Sequence, residues 1–233
     1  MRDRFTCLAS LAVLGFSLAA HATPIINGGT TTVVANGGVA PGSSANYDFF
    51  DFGHGSQPKN LTDFNFTVGG GGQFPGNGAY STVTAPGGSS AFRTGVQYFG
   101  TGGGGSGTTN IFGTFTSDVS DFTIYVLTGN ADPVGFVRDA SVALQANSGG
   151  MVTVNVAPSE QTNNFTSFTV TGATPEDVFT IYATGATAGD ETNMAGITFD
   201  TNVSPVPEPS SIVLLGTGLL SVAGAARRRF FKA

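Results

Sequence analysis

Leu61-Thr62-Asp63-Phe64-Asn65-Phe66-Thr67-Val68 is the stretch that decides the fold. Phe64, Phe66 and Val68 fall on one side of a period-2 pattern, and Asp63, Asn65 and Thr67 fall on the other. Side chains of a strand point alternately to its two faces, so this is a strand with one face in a core and one in water. The same alternation, rich in Phe, Val, Ile, Tyr and Thr, recurs at 91–99, 110–116, 121–128, 141–146, 151–156, 164–171, 177–184 and 194–200. A short β-branched run lies at 30–35, and at 45–52 Tyr47 and Phe49 share one face while Asp48, Phe50 and Phe52 share the other. No stretch between the two ends of the chain has a helical period. Clusters of Gly, Asn, Asp and Pro separate the runs at about ten-residue spacing, which predicts an all-β body built as an antiparallel β-sandwich.

The two ends of the chain are different in kind. Arg2 and Arg4 precede an uncharged apolar stretch at 5–20, followed by Ala20-His21-Ala22, an A-x-A-like cleavage site with Thr23 as the first mature residue. This is the pattern of a secretory signal peptide over 1–22. At the other end, Val206-Pro207-Glu208-Pro209 leads into an apolar run, and Arg227-Arg228-Arg229 follows it. Pro207 and Pro209 fix a stiff, extended spacer. The run from Ser210 to Ala226 has 17 residues and no charge. As a helix it is about 25 Å long, the lower limit for a bilayer span. The three arginines stay on the cytoplasmic side. The expected organisation is a signal peptide at 1–22, a secreted domain at 23–203, and a tail at 204–233 with a single transmembrane helix at about 210–226.

The order of Val206-Pro207-Glu208-Pro209, short apolar span and basic end resembles the PEP-CTERM sorting signal of Gram-negative bacteria. That tail also goes under the description "ice-binding protein C-terminal domain", which describes the tail and not an activity. The resemblance covers the last thirty residues and implies processing by an exosortase-type membrane protease that cuts near the Pro-Glu-Pro motif. It implies transient inner-membrane anchoring, then release to the cell surface, in bacteria that make exopolysaccharide and biofilm. A second resemblance concerns fold. The 190–200 stretch, with 164–170 and 177–182 before it, is similar to the closing strands of carbohydrate-binding jelly rolls placed ahead of such a tail. Ala195-Gly196 stands where that pattern carries an Asp-Asn pair, so the likeness implies a jelly-roll-like sandwich and no site.

Composition narrows the chemistry. Cys7 is the only cysteine and lies in the signal peptide, so the mature body has no disulfide, no thiolate nucleophile and no Cys-type zinc site. Leaving out Asp3 and Glu208, 13 of the 15 carboxylates lie in the body against Lys59, Arg93 and Arg138, a balance of −10. Nucleic acid is excluded as a partner, because neutralising phosphates needs clustered Lys and Arg. His54 in Phe52-Gly53-His54-Gly55-Ser56 lacks the G-x-S-x-G arrangement, and a triad with Ser56 and Asp51 would draw three near neighbours from one chain segment. The glycine runs at 69–72 and 102–105 have no P-loop lysine and are expected to be surface loops. The five tyrosines, Tyr47, Tyr80, Tyr98, Tyr125 and Tyr182, are expected as half-buried packing. Calcium is the candidate ligand, because aspartate- and glycine-rich loops supply the oxygens hard cations need. Its candidate ligands are Asp190 and Glu191 before the last strand, Asp200 at its end, and Asp48 with Asp51 around the first aromatic strand.

These observations predict a non-enzymatic, exported surface or matrix protein, sorted by an exosortase-type system and associated with extracellular polysaccharide. Two alternatives remain at this level. One is a secreted glycan-acting enzyme using a carboxylate pair, such as Asp48 with Asp51 or Glu176 with Asp177. The other is a subunit that assembles with its own kind through exposed strand edges.

Overall fold

A computed structural model describes residues 22–51, 55–59, 61–68, 73–74, 81–88, 91–94, 97–98, 109–129, 139–156, 163–185 and 194–201. In chain order the strands are β1 (Ile25–Val34), β2 (Gly38–Val39), β3 (Tyr47–Asp51), β4 (Gly55–Lys59), β5 (Phe64–Val68), β6 (Gln73–Phe74), β7 (Ser81–Thr84) and β8 (Ala91–Thr94). They continue with β9 (Gln97–Tyr98), β10 (Thr109–Ser117), β11 (Phe122–Gly129), β12 (Asp139–Ala146), β13 (Met151–Asn155), β14 (Asn163–Thr171), β15 (Phe179–Gly185) and β16 (Gly196–Asp200). Every strand expected from alternation is present; the 91–99 run is divided between β8 and β9.

Two antiparallel sheets face each other. One has the order β1-β14-β11-β16-β3-β4, the other β13-β12-β15-β10-β5. Numbering β3 and β10 to β16 as strands one to eight, the sheets read 1-8-3-6 and 2-7-4-5. That is the double Greek key of a jelly roll, with β1, β4 and β5 added at the margins. The body is therefore the jelly-roll-like antiparallel sandwich that the sequence predicts.

The core follows from the alternation. Phe64 and Phe66 on β5, Phe112 and Phe115 on β10, Phe122 on β11, Phe168 on β14, Phe179 on β15 and Phe199 on β16 all turn inwards and are buried together. A smaller cluster covers the opposite face of the six-stranded sheet. There Val83, Ala85 and Ala40 pack on Tyr47, Phe49, Leu127 and Phe165. Among the described residues both clusters, with the partly buried residues around them, lie between Ile26 and Phe199, inside the expected secreted domain.

Polar contacts fix the register between layers. Asn46 is buried; its Nδ2 donates to Asp63 Oδ2 at 2.9 Å, and its Oδ1 accepts from the backbone N–H of Thr62 at 2.8 Å and of Asp63 at 3.2 Å. One side chain thus ties the start of β3 in one sheet to the start of β5 in the other. Over the end of β16, Thr198 Oγ1 donates to Pro41 O and the Ser43 N–H donates to Phe199 O. Gly42 between them has φ +107°, and a Cβ there would lie 2.9 Å from both Phe199 O and Thr198 Oγ1. Only glycine fits this turn.

Candidate functional site

In β15 the burial pattern alternates strictly, with Phe179, Ile181 and Ala183 inside and Thr180, Tyr182 and Thr184 half-exposed on the outer face. Cross-strand register extends this outer face over the whole five-stranded sheet. Tyr182 lies between Ala143 on β12 and Ile111 on β10. Thr180 lies between Gln145 and Thr114, and Thr184 between Ser141 and Thr109. Beyond them β13 contributes Met151, Thr153 and Asn155, and β5 contributes Asn65 and Thr67. None of these residues carries a charge, although the body's balance is −10.

The face is organised by its own hydrogen bonds. Tyr182 Oη donates to Gln145 Oε1 at 3.0 Å, and the Thr109 and Thr184 hydroxyls are 3.0 Å apart. Ala143, small and nearly buried, leaves one flank of the Tyr182 ring without a bulky neighbour on β12. Neighbouring strands present side chains about 4.8 Å apart, and alternate residues along a strand about 6.8 Å apart, so hydroxyls and amides form a regular grid. Asn65, Thr67, Thr153 and Asn155 are exposed, and no described strand packs over them.

The outer face of the six-stranded sheet differs, because the second apolar cluster covers part of it. On the remainder, the Thr123 and Thr169 hydroxyls lie 3.4 Å apart, and Tyr125 stands beside Asp200. The Tyr125 hydroxyl titrates above its ordinary value of 10.0, first through burial and second through the negative charge of Asp200. The folded protein therefore holds this proton to higher pH than the unfolded chain does. The associated stability is fully present below the unfolded tyrosine pKa and is lost as pH rises above about 10 through the folded value. In an ultraviolet difference titration, the tyrosine removed by Tyr125→Phe is expected to titrate late. Asp200→Asn is expected to move it only part of the way back, since burial remains. A Tyr125 that titrates with the exposed tyrosines would refute the placement.

Of the calcium candidates, the structure describes the side chains of Asp48 and Asp200. Asp48 is fully buried and lies opposite Ile197, on the face of β3 turned to the main core. Asp200, three residues beyond Ile197, falls on the other face of the same sheet beside Tyr125. These two carboxylates cannot share an ion. Asp51 pairs with Gly55 across the β3–β4 connection. Asp190, Glu191 and His54 lie outside the described residues, as do both glycine runs. Among the described residues no group of three His, Cys, Asp or Glu side chains could hold a metal. Of the carboxylate pair Glu176–Asp177, Asp177 is buried in a turn: Oδ1 accepts from Ser148 Oγ at 2.9 Å, and Oδ2 accepts from the N–H and Oγ1 of Thr174 at 2.9 and 3.1 Å.

Sequence reasoning treated Tyr182 as ordinary packing and did not single out its surroundings. The signal was present in the outward positions of the runs at 110–116, 141–146, 151–156 and 179–184, all of them uncharged.

The last described residue, Thr201, follows directly on β16, which lies between β11 and β3 in the six-stranded sheet. Residues 205–229 match the family described as the PEP-CTERM protein-sorting motif. The chain carries a PEP-CTERM tail. It is thus an exported protein, anchored transiently through its C-terminus and sorted by an exosortase-type membrane protease. No curated protein matches the chain. The match contains Val206, Pro207, Glu208 and Pro209 and ends at Arg229, the last of the three arginines. The PEP-CTERM tail and residues 1–21 of the expected signal peptide, with Ala20 and His21 of its cleavage site, lie outside the described residues; Ala22 and Thr23 open the described part. Among the described residues no helix is long and apolar enough to cross a membrane. From Thr201 to the first matched residue is four residues, a reach of about 14 Å when fully extended.

Proposed function

We propose that the jelly roll is a non-enzymatic surface or matrix module that binds neutral extracellular polysaccharide in the biofilm of a Gram-negative bacterium. The observation that carries this reading is the uncharged outer face of the five-stranded sheet, centred on Tyr182 and Gln145. A neutral glycan presents hydroxyls in both hydrogen-bonding senses and apolar ring faces. Threonine hydroxyls, Asn and Gln amides and the flank of a tyrosine ring match that chemistry without burying a charge. The commitment of Asp177 to Ser148 and Thr174 also favours binding over turnover, since a catalytic acid or base must be able to reach its substrate. Calcium, with Asp190, Glu191 and Asp200 as candidate ligands, would act structurally.

The test is binding of the body, residues 23–203, to the producing organism's own exopolysaccharide, in calcium and in chelator. Thr180→Glu places a charge at the centre of the face and is expected to weaken binding tenfold or more, equal to about 1.4 kcal/mol. Thr169→Glu on the opposite sheet is the control and should bind as the unaltered body does. Binding should be indifferent to salt, as expected for an uncharged partner. Equal loss in both variants, or release of reducing ends during incubation, would sink this reading.

A further inference from the structure

We infer that the side of the sandwich formed by β1 and β13 is an interface between two copies of this chain, with β1 pairing antiparallel to its own counterpart. This does not depend on the polysaccharide reading: the pairing runs through β1, in the other sheet, and only β13 borders both surfaces.

β1 is the longest strand, with ten residues, and has β14 as its only sheet neighbour among the described strands. Its other edge therefore presents main-chain donors and acceptors to solvent. Native proteins guard such an edge with Lys, Pro or charge, because an open edge templates the addition of another strand. The opposite margin of the same sheet is guarded in this way, since β4 contains Pro58 and Lys59. β1 has neither; its one irregularity, the register shift between Gly28 and Thr31, leaves Thr31–Val34 regular, and the sequence from Thr23 to Tyr47 contains no charged residue.

The side chains agree with the backbone. Of the six large apolar residues exposed among those described, two lie on β1: Ile25 at 61 % and Val33 at 60 %, the second within the segment that pairs in unbroken register. β1 and β13, the margins of the two sheets, are in contact here. A Cβ at Gly28 would lie 2.8 Å from Val154 and 3.2 Å from Val152. The side is therefore a continuous uncharged strip, one strand from each sheet.

Charge selects the occupant. Two copies with a body balance of −10 each repel one another, and this side lets them meet without bringing a charge into contact. Pairing a strand with itself in antiparallel sense generates a two-fold axis, so both copies use the same residues and the assembly closes as a dimer. A register shift between Gly28 and Thr31 divides β1, leaving Thr31-Thr32-Val33-Val34 as a β-branched segment in unbroken register with β14. That segment is the one assigned to the pairing, which would join two six-stranded sheets into one of twelve.

The experiment is sedimentation of the body, residues 23–203, from about 1 μM to 1 mM, the range of weak to moderate self-association. A twofold mass increase with concentration is expected. Val33→Lys should weaken it at least tenfold, and Val178→Lys, exposed elsewhere, should leave it unchanged. Hydrogen exchange on the unaltered protein needs no variant: those amides of Thr31 to Val34 that point away from β14 should gain protection as the dimer forms. A single-chain mass throughout the range overturns the inference. So does a dimer that Val33→Lys leaves intact, or one that forms without protecting those amides.

Discussion

Phe115→Ala is expected to cost about 4 kcal/mol of folding stability, the largest effect of any single change considered. Phe115 is 1 % exposed on the inner face of β10 and opposes Phe66 on one neighbour and Phe179 on the other. Its ring stacks on Phe179 at 5.0 Å and 17°, and meets Phe64, Phe122 and Phe199 edge-on at 6.1, 5.9 and 5.3 Å. Truncation removes the transfer free energy of the ring, leaves a cavity the rigid sheets cannot close, and breaks four aromatic contacts worth roughly 0.5–1.5 kcal/mol per pair. A domain of this kind has about 5–15 kcal/mol in total, and this body has no disulfide to confine the unfolded chain. Thermal unfolding should fall by roughly 8–16 °C. The denaturant midpoint should fall with the slope unchanged. Thr153→Ala on the open face is the reference and should stay within about 0.5 kcal/mol. A loss below that of an ordinary surface change at Phe115 would mean that the two sheets do not pack through these rings.

The same rings explain how far the fold was legible in the sequence. Alternation at Phe64-Asn65-Phe66 and at Phe179-Thr180-Ile181 states which side chains face inwards, because a pleated strand allows nothing else. It does not state which strands are neighbours. The order that places β16 between β11 and β3 comes from contacts far apart in sequence, and no local pattern encodes it. Short strands escaped for a local reason: β4 is Gly55-Ser56-Gln57-Pro58-Lys59, a turn-like composition drawn into a strand by pairing with β3. β3 showed a different limit. Tyr47, Asp48 and Phe49 are all buried, so both faces of that strand are covered, and an alternating polar residue no longer implies solvent. The sorting motif was legible because its meaning lies in the order of its parts and not in tertiary packing. The uncharged face was not singled out, since outward threonines are ordinary in any single strand and become a surface only when five strands are aligned.

Asp177→Ala is expected to cost about 2–3 kcal/mol, and its sign also bears on chemistry. The turn Thr174-Pro175-Glu176-Asp177 closes through the Asp177 N–H donating to Thr174 O at 3.0 Å. The carboxylate then accepts twice from Thr174 and once from Ser148. Beside it the Asn147 N–H donates to Val178 O at 2.9 Å, and the Val178 N–H donates to Asn147 Oδ1 at 3.2 Å. Asp177 thus clasps the β14–β15 connection to the β12–β13 hairpin, so one buried side chain holds two loops at the end of the sandwich. Alanine would leave three donors without this acceptor. Water reaching the exposed Ser148 recovers part of the loss, which is why the sum of three charged hydrogen bonds is not expected. Asp177→Asn should recover part of the loss: its amide oxygen can take the Oδ2 place and accept from the Thr174 N–H and hydroxyl, while its NH2 donates to the Ser148 hydroxyl, at the cost of the carboxylate's charge. A catalytic carboxylate in a Glu176–Asp177 pair behaves in the opposite way, because its replacement abolishes turnover while stability holds or rises. Chemical denaturation of Asp177→Ala, Asp177→Asn and Glu176→Gln therefore separates the two roles. Losses at Asp177 with none at Glu176 identify a clasp, whereas unchanged stability at Asp177 would return that pair to the candidates for catalysis.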